Sequence, residues 1–223
     1  MKSSPNINLY GPFAILVEFE QKISKEVNAQ VINLYKGLLH SNFSHVKALI
    51  PAYNSLVVQY HYPVKMNKEK AVLLRLHQQL YTSEQSSKTI KIPVCYDLEM
   101  GLDLAALAKV KQMTIPEVIS MHTAEKYHVY MLGFTPGFPY LGGLNEKLAM
   151  PRKASPRISI PKGSVAIANE QTGIYPTSSP GGWQVIGRTP VELFTPKEKP
   201  KIEIGDTVTF YAISLKEFNQ LSC

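Results

Sequence analysis

Residues 122–144 read HTAEKYHVYMLGFTPGFPYLGGL, and the change of texture inside them decides the fold. Before this stretch the pattern is helical. Thr114-Ile115-Pro116-Glu117 is a capping box with proline just inside the first turn, which predicts a helix running to about His122. From Tyr127 the pattern is β-rich, and residues 133–144 break it with glycines and prolines set between aromatics. The same rhythm continues to the end of the chain. Short β-rich runs at 127–134, 157–160, 164–168, 183–187, 191–194 and 206–213 are separated by Gly/Pro clusters. That spacing suits an antiparallel barrel or sandwich.

Upstream the elements alternate. Residues 13–19 (FAILVEF) form a strand pattern, and Ser24 opens a helical one with Val27, Val31, Leu34, Tyr35 and Leu38. Residues 46–50 and 55–60 read as strands around the turn Pro51-Ala52-Tyr53-Asn54. Asn67 is placed to cap a second helix carrying Ala71, Leu74, Leu76 and Leu80, and 89–96 reads as another strand. Pro93 inside that strand argues for an edge or a strand end. The order β-α-β-β-α-β matches a ferredoxin-like split βαβ unit, whose last strand can serve either domain. The polar stretch 82–88 lacks apolar periodicity and marks the boundary, giving a small α/β domain at 1–86 and a second domain at 87–223. The second domain opens with a helical hairpin whose first helix, 104–111, starts at the capping residue Asp103. The fold class is α+β.

Composition narrows the function. The net charge of +7 favours anionic partners, but no run of five or six basic residues occurs and no nucleic-acid module is visible, so nucleic acid is not an expected partner. The densest basic stretches, 65–75 and 197–201, read as solvated faces. Only 18% of residues are charged, which fits lasting contact with another protein. The two cysteines, Cys95 and Cys223, are too few for a disulfide scaffold and read as free thiols of a reducing cytoplasm. No Cys/His cluster has metal-ligand spacing. The first residues lack an apolar signal core and no run is long enough to span a bilayer, so the expectation is a cytoplasmic protein with no membrane partner. No phosphate loop or kinase signature is present.

Chemistry concentrates in the second domain. The loop containing Phe134, Thr135, Gly137 and Phe138 is stiffened by glycine and proline; it can present backbone N–H groups to a ligand oxygen or plug a barrel turn. Gln171, Thr172 and Tyr175 lie in a second polar and aromatic stretch, followed by Trp183 after a glycine pair. Trp183 can stack on a planar ligand or anchor a core. Arg152, Arg157 and Lys162 flank these loops and Arg188 follows the Trp183 strand; their convergence would make an anion site. His122 can act as an acid or base, or interact with the end of its helix.

At these residues the chain resembles the allophanate hydrolase subunit 1 family. The resemblance is carried by 122–144, by 151–176 (PRKASPRISIPKGSVAIANEQTGIYP), by 179–194 (SPGGWQVIGRTPVELF) and by the acidic DLEMGLDL at 97–104; residues before about 90 match only in pattern. The family includes the B subunit of bacterial ATP-dependent 5-oxoprolinase and KipI, an inhibitor of a sporulation histidine kinase. The resemblance implies a C-terminal cyclophilin-like barrel, a partner like allophanate hydrolase subunit 2 (the C component of the oxoprolinase), and a third protein like its A component. It implies conversion of 5-oxo-L-proline to L-glutamate with ATP, and Mg, engaged at the level of the complex and little activity in the chain alone. Kinase inhibition is the alternative. On the oxoprolinase reading His122, Arg157, Lys162 and Arg188 form the expected catalytic set, the cations facing the transferred phosphoryl group. Phe134, Thr135, Gly137, Phe138, Gln171, Thr172, Tyr175 and Trp183 form the expected substrate-binding set.

Overall fold

The computed structural model describes residues 4–80, 87–196, 198 and 200–222, and its chain divides into two units, Met1–Ser86 and Ser87–Cys223. Most of the expected boundary stretch, 82–86, lies outside the described residues, as do Cys223 and two positions of the basic stretch 197–201.

The first unit packs helices on one sheet. Its elements are β1 (Asn6–Leu9), β2 (Ala14–Glu18), α1 (Lys25–Ser41), β3 (Val46–Pro51), β4 (Ser55–Tyr60) and α2 (Met66–Leu80). Ser24 caps α1 as its sequence requires, accepting from the Val27 N–H at 3.3 Å. The heptad-like stripe Val27, Val31, Leu34, Leu38 packs against Ile15, Val17, Leu56 and Val58 of the sheet. Helix α2 begins at Met66, so Asn67 sits inside the first turn and does not cap it. The sheet order is β1-β2-β4-β3 with every pair antiparallel. The strand expected to close the βαββαβ unit, 89–96, belongs to the other unit, and the N-terminal strand β1 holds the edge beside β2 in its place.

The second unit is a closed seven-stranded barrel in the order β10-β7-β6-β13-β5-β12-β9. Its strands are β5 (Thr89–Cys95), β6 (Tyr127–Leu132), β7 (Pro139–Gly142), β9 (Ser164–Ala168), β10 (Gln171–Ile174), β12 (Gln184–Arg188) and β13 (Thr207–Ile213). The barrel is antiparallel except for β5 and β13, which run parallel over seven residue pairs. On its other flank β5 meets β12 only at Cys95, so Pro93 is tolerated much as at an edge. A two-stranded ribbon, β8 (Arg157–Ile160) with β11 (Ser179–Gly181), lies outside the barrel order. Helices α3 (Leu104–Lys111) and α4 (Ile115–Ala124) bring Leu104, Leu107 and Val118 to the barrel core, and the capping box of Thr114 and Glu117 forms as expected. A last helix, α5 (Leu215–Leu221), follows its own Ser214–Glu217 capping box. Residues 191–194, expected as a strand, are irregular; Leu193 still packs into the core.

Strand β9 explains where a site arises. All five of its residues are buried because both faces are covered. Val165 and Ile167 point into the barrel core, whereas the small Ala166 and Ala168 back a separate cluster of Phe138, Ile160, Tyr175, Trp183 and Val185.

Candidate functional site

The glycine- and proline-rich turn after β6 sets the aromatic side chains. Its backbone closes on itself through Thr135 N–H to the Gly133 carbonyl at 2.8 Å and Phe138 N–H to the Thr135 carbonyl at 3.1 Å. Gly137 has φ +82, and a Cβ there would lie 2.6 Å from that of Phe194, so only glycine fits. Phe134 has φ +67, a conformation that costs a bulky residue energy, and its side chain is 63% exposed. Strain and exposure of a large apolar group at one position point to a binding loop.

The turn closes one wall of a cavity of about 240 Å³ lined by Phe134, Phe138, Tyr140, Arg152, Tyr175 and Trp183, with Pro156 and residues 180–182 at the rim. Phe138 is buried at its centre, with Tyr140, Tyr175 and Trp183 edge-on at centroid distances of 5.0, 5.1 and 5.3 Å. Burial pushes the Tyr175 hydroxyl up to about 12 and raises that of Tyr140, so both stay protonated donors at neutral pH.

Arg152 stands at this cavity with its guanidinium carbon 5.9 Å from the centre of the Trp183 ring. The segment around it is pinned at several points. The Gln184 side-chain amide donates to the Pro151 carbonyl at 2.9 Å, and Lys153 N–H donates to the Gly182 carbonyl at 2.7 Å. Asp103 holds the rest. Its nearly buried carboxylate accepts from both terminal nitrogens of Arg157 at 2.7 and 2.8 Å, from Lys153 Nζ at 2.9 Å and from the Val185 N–H at 2.8 Å. Burial works to raise the Asp103 pKa, but the bonds from Arg157, Lys153 and Val185 outweigh it and hold the carboxyl below its ordinary range. Asp103 makes no side-chain cap bond to α3; it is an ion-pair hub, which corrects its reading as a cap.

Several expected site residues are placed elsewhere. His122 has no exposed surface, and burial pushes its pKa down to about 3. Thr172 Oγ1 donates to the Ala166 carbonyl at 3.0 Å, so it accepts from His122 Nε2 at 3.0 Å; Nδ1 then accepts from the Tyr96 hydroxyl at 2.7 Å. The imidazole is a neutral link from α4 to Tyr96, just past the end of β5, and to Thr172 of β10; it is stacked on Phe210 at 4.7 Å, and its full burial does not suit an acid or base at a ligand. Thr172 is buried in the same chain of bonds, with its hydroxyl committed to His122 and the Ala166 carbonyl. Arg157 is committed to Asp103. Lys162 is paired with Glu192, and together with Arg188 it lines a different cavity of about 390 Å³ beside Phe218. Arg188 donates from Nε to the Lys162 carbonyl at 2.7 Å. Gln171 sits on β10 opposite Ala168 and Gly142 and does not line the aromatic cavity. Thr135 and Gly137 line an open hollow of about 420 Å³ on the other side of Phe134. The four expected catalytic residues therefore do not converge. The structure gathers Phe134, Phe138, Tyr175 and Trp183 from the expected binding set, and adds Tyr140 and Arg152. Both additions lie in stretches that the sequence singles out; nothing in it showed that Arg157 and Lys162 would find carboxylates while Arg152 would not.

The chain is 42% identical to the 5-oxoprolinase B subunit of Bacillus subtilis (strain 168), a match covering 96% of this chain and 95% of that one. It is 37% identical to the 5-oxoprolinase B subunit of Escherichia coli O157:H7, covering 91% of this chain and 93% of that one. Among solved structures, TTHA0988 superposes with a TM-score of 0.79 at 33% identity; the match covers 90% of this chain and 40% of that longer one. The model of the family described as carboxyltransferase domain, subdomain C and D, matches residues 5–203, and the chain belongs to that family.

Proposed function

We propose that this chain is the B subunit of a 5-oxoprolinase, an enzyme complex that hydrolyses 5-oxo-L-proline to L-glutamate, and that the chain alone does not complete the reaction. The observation that carries the reading is the likeness to proteins named as the B subunit of 5-oxoprolinase along nearly the whole chain. The cavity supports a shared task. Its lining offers aromatic walls, tyrosine hydroxyls and one guanidinium, and no carboxylate, imidazole or thiol to activate water. Such a site binds and orients a small planar ligand, and another polypeptide supplies the groups that cleave it.

In the hydrolysis the lactam C–N bond breaks. The oxygen of water is added at the carbonyl carbon and the nitrogen leaves as an amine. An unstrained amide resists this, and ATP, taken up with Mg by the complex, supplies the phosphoryl group that activates the carbonyl oxygen. Among the described residues no group of three or more His, Cys, Asp or Glu is arranged to hold a metal ion, and no helix is long and apolar enough to cross a membrane. Partners resembling the C and A components of the oxoprolinase complete the assembly. Co-expression of all three chains is expected to give ATP-dependent release of glutamate from 5-oxoproline that disappears when this chain is omitted and returns when it is added back. Undiminished release without it would refute the reading, and inhibition of a histidine kinase by the purified chain would replace it.

A further inference from the structure

We infer that the aromatic cavity holds a small ring bearing a carboxylate, with Arg152 binding that carboxylate; this rests on the reading of the chain as part of a 5-oxoprolinase. The cations nearby are mostly engaged already. Lys153 and Arg157 share Asp103, and Lys162 meets Glu192. Arg152 has no carboxylate partner among the described residues and is the cation at the cavity. Its guanidinium carbon lies 5.9 Å from the centre of the Trp183 ring, and the planar fork of an arginine suits bidentate binding of a carboxylate.

The site is built to hold that arginine in place. Pro151 before it and Lys153 after it are both hydrogen-bonded to the segment that carries Trp183, through Gln184 and Gly182. Asp103 ties Lys153 and Arg157 down on the far side. The backbone of Arg152 is thereby fixed relative to the indole, so little ordering remains to be done when a ligand arrives. The positive charge of Arg152 also acts on both Tyr140 and Tyr175, opposing the effect of burial on each. Arg152, Tyr140 and Tyr175 all line the one cavity, so a ligand seated there has a cation and tyrosine hydroxyls in its walls.

Size and shape restrict the ligand. A cavity of about 240 Å³ is smaller than the roughly 300–1,000 Å³ that holds drug-sized molecules. A Cβ on Gly181 would fall well inside van der Waals distance of the Tyr175 hydroxyl and of Ile160 Cδ1, so any side chain there displaces the cavity wall. A five-membered lactam acid presents a flat ring to the aromatic edges and one carboxylate to Arg152. A nucleotide base with its phosphates does not fit the same space.

The test uses the assembled enzyme of three chains. Arg152→Met keeps the length of the side chain and removes the charge, and is expected to raise KM for 5-oxoproline about 10–100-fold while kcat changes much less. Arg152→Lys is expected to recover part of the loss, since a lysine restores charge without the planar fork. The uncharged lactam 2-pyrrolidinone, used as a competitor, is expected to inhibit wild type and Arg152→Met equally. Both variants should unfold at the wild-type urea midpoint, because the Arg152 side chain is exposed and outside the Asp103 cluster. If the wild-type assembly has no oxoprolinase activity, the functional reading has failed. If it is active and Arg152→Met leaves KM for 5-oxoproline unchanged, the carboxylate site alone has failed.

Discussion

Asp103→Ala is expected to destabilise the barrel unit by about 3 kcal/mol, the range for removing one partner of a buried, hydrogen-bonded ion pair. The carboxylate is 4% exposed and satisfies two cations and a backbone N–H at once. Alanine leaves the Val185 N–H buried without a partner and two positive groups facing each other beneath the segment of Arg152. Asp103→Asn keeps an acceptor for Val185 and loses the charge, so its loss is smaller. Trp183 is the sole tryptophan and is buried in this unit, which makes urea unfolding followed by its fluorescence a direct readout of the barrel. A midpoint shift equivalent to less than about 1 kcal/mol for alanine would show that the cluster is peripheral. The pH dependence has a definite sign. The folded pKa of Asp103 is depressed, so its contribution is present above the unfolded value of about 3.9 and is lost as pH falls through the lower folded value.

The second large effect is acid destabilisation through His122, which sets in at higher pH. The unfolded chain protonates this histidine near pH 6.5, whereas the folded protein resists down to about 3. Between those values the unfolded state binds more protons, so stability falls as pH is lowered through 6.5, by about 1.4 kcal/mol per pH unit once well below it. The loss from this residue reaches about 2 kcal/mol at pH 5. His122→Gln, which preserves a donor and an acceptor, is expected to be less stable at pH 7.5 and to show a flatter decline between pH 6.5 and 5. The other five histidines are common to both proteins, so their contributions cancel in the comparison. Equal slopes would mean that solvent reaches the imidazole and that the chain Tyr96–His122–Thr172 opens readily.

Much of the architecture is legible because the signals are local. Capping residues place α1 and α4, and apolar runs place β2, β4 and β9. Three short strands, β7, β10 and β11, carry only a weak signal because they are three or four residues long and interrupted by glycine or proline; β7 and β10 are paired by barrel closure and β11 by its ribbon with β8. Helix α5 is absent from the expected elements although Ser214-Leu215-Lys216-Glu217 carries the same kind of capping box that locates α4. The destination of β5 is undecidable from its own residues, since a strand pattern does not name its neighbour.

The site is half legible for a related reason. Aromatics spaced by glycine and proline announce a stiff surface, and Phe134, Phe138, Tyr175 and Trp183 do meet there. Charges announce nothing about their partners. By sequence Arg157 is a ligand-facing cation and Asp103 a cap, yet they are 54 positions apart in the chain and form one pair. His122 follows the same course: its chemistry suggests a proton carrier, while its neighbours Tyr96, Thr172 and Phe210 exclude the water such a role needs.

The most direct measurement is the intrinsic fluorescence of Trp183 in the purified chain, titrated with 5-oxoproline. The indole lines the cavity and lies under Arg152, so a ligand seated there changes its emission. A saturable change with 5-oxoproline, abolished in Arg152→Met, is the expected result. Emission that stays flat, or that changes equally in wild type and Arg152→Met, would contradict it and leave the cavity as a packing feature of the barrel.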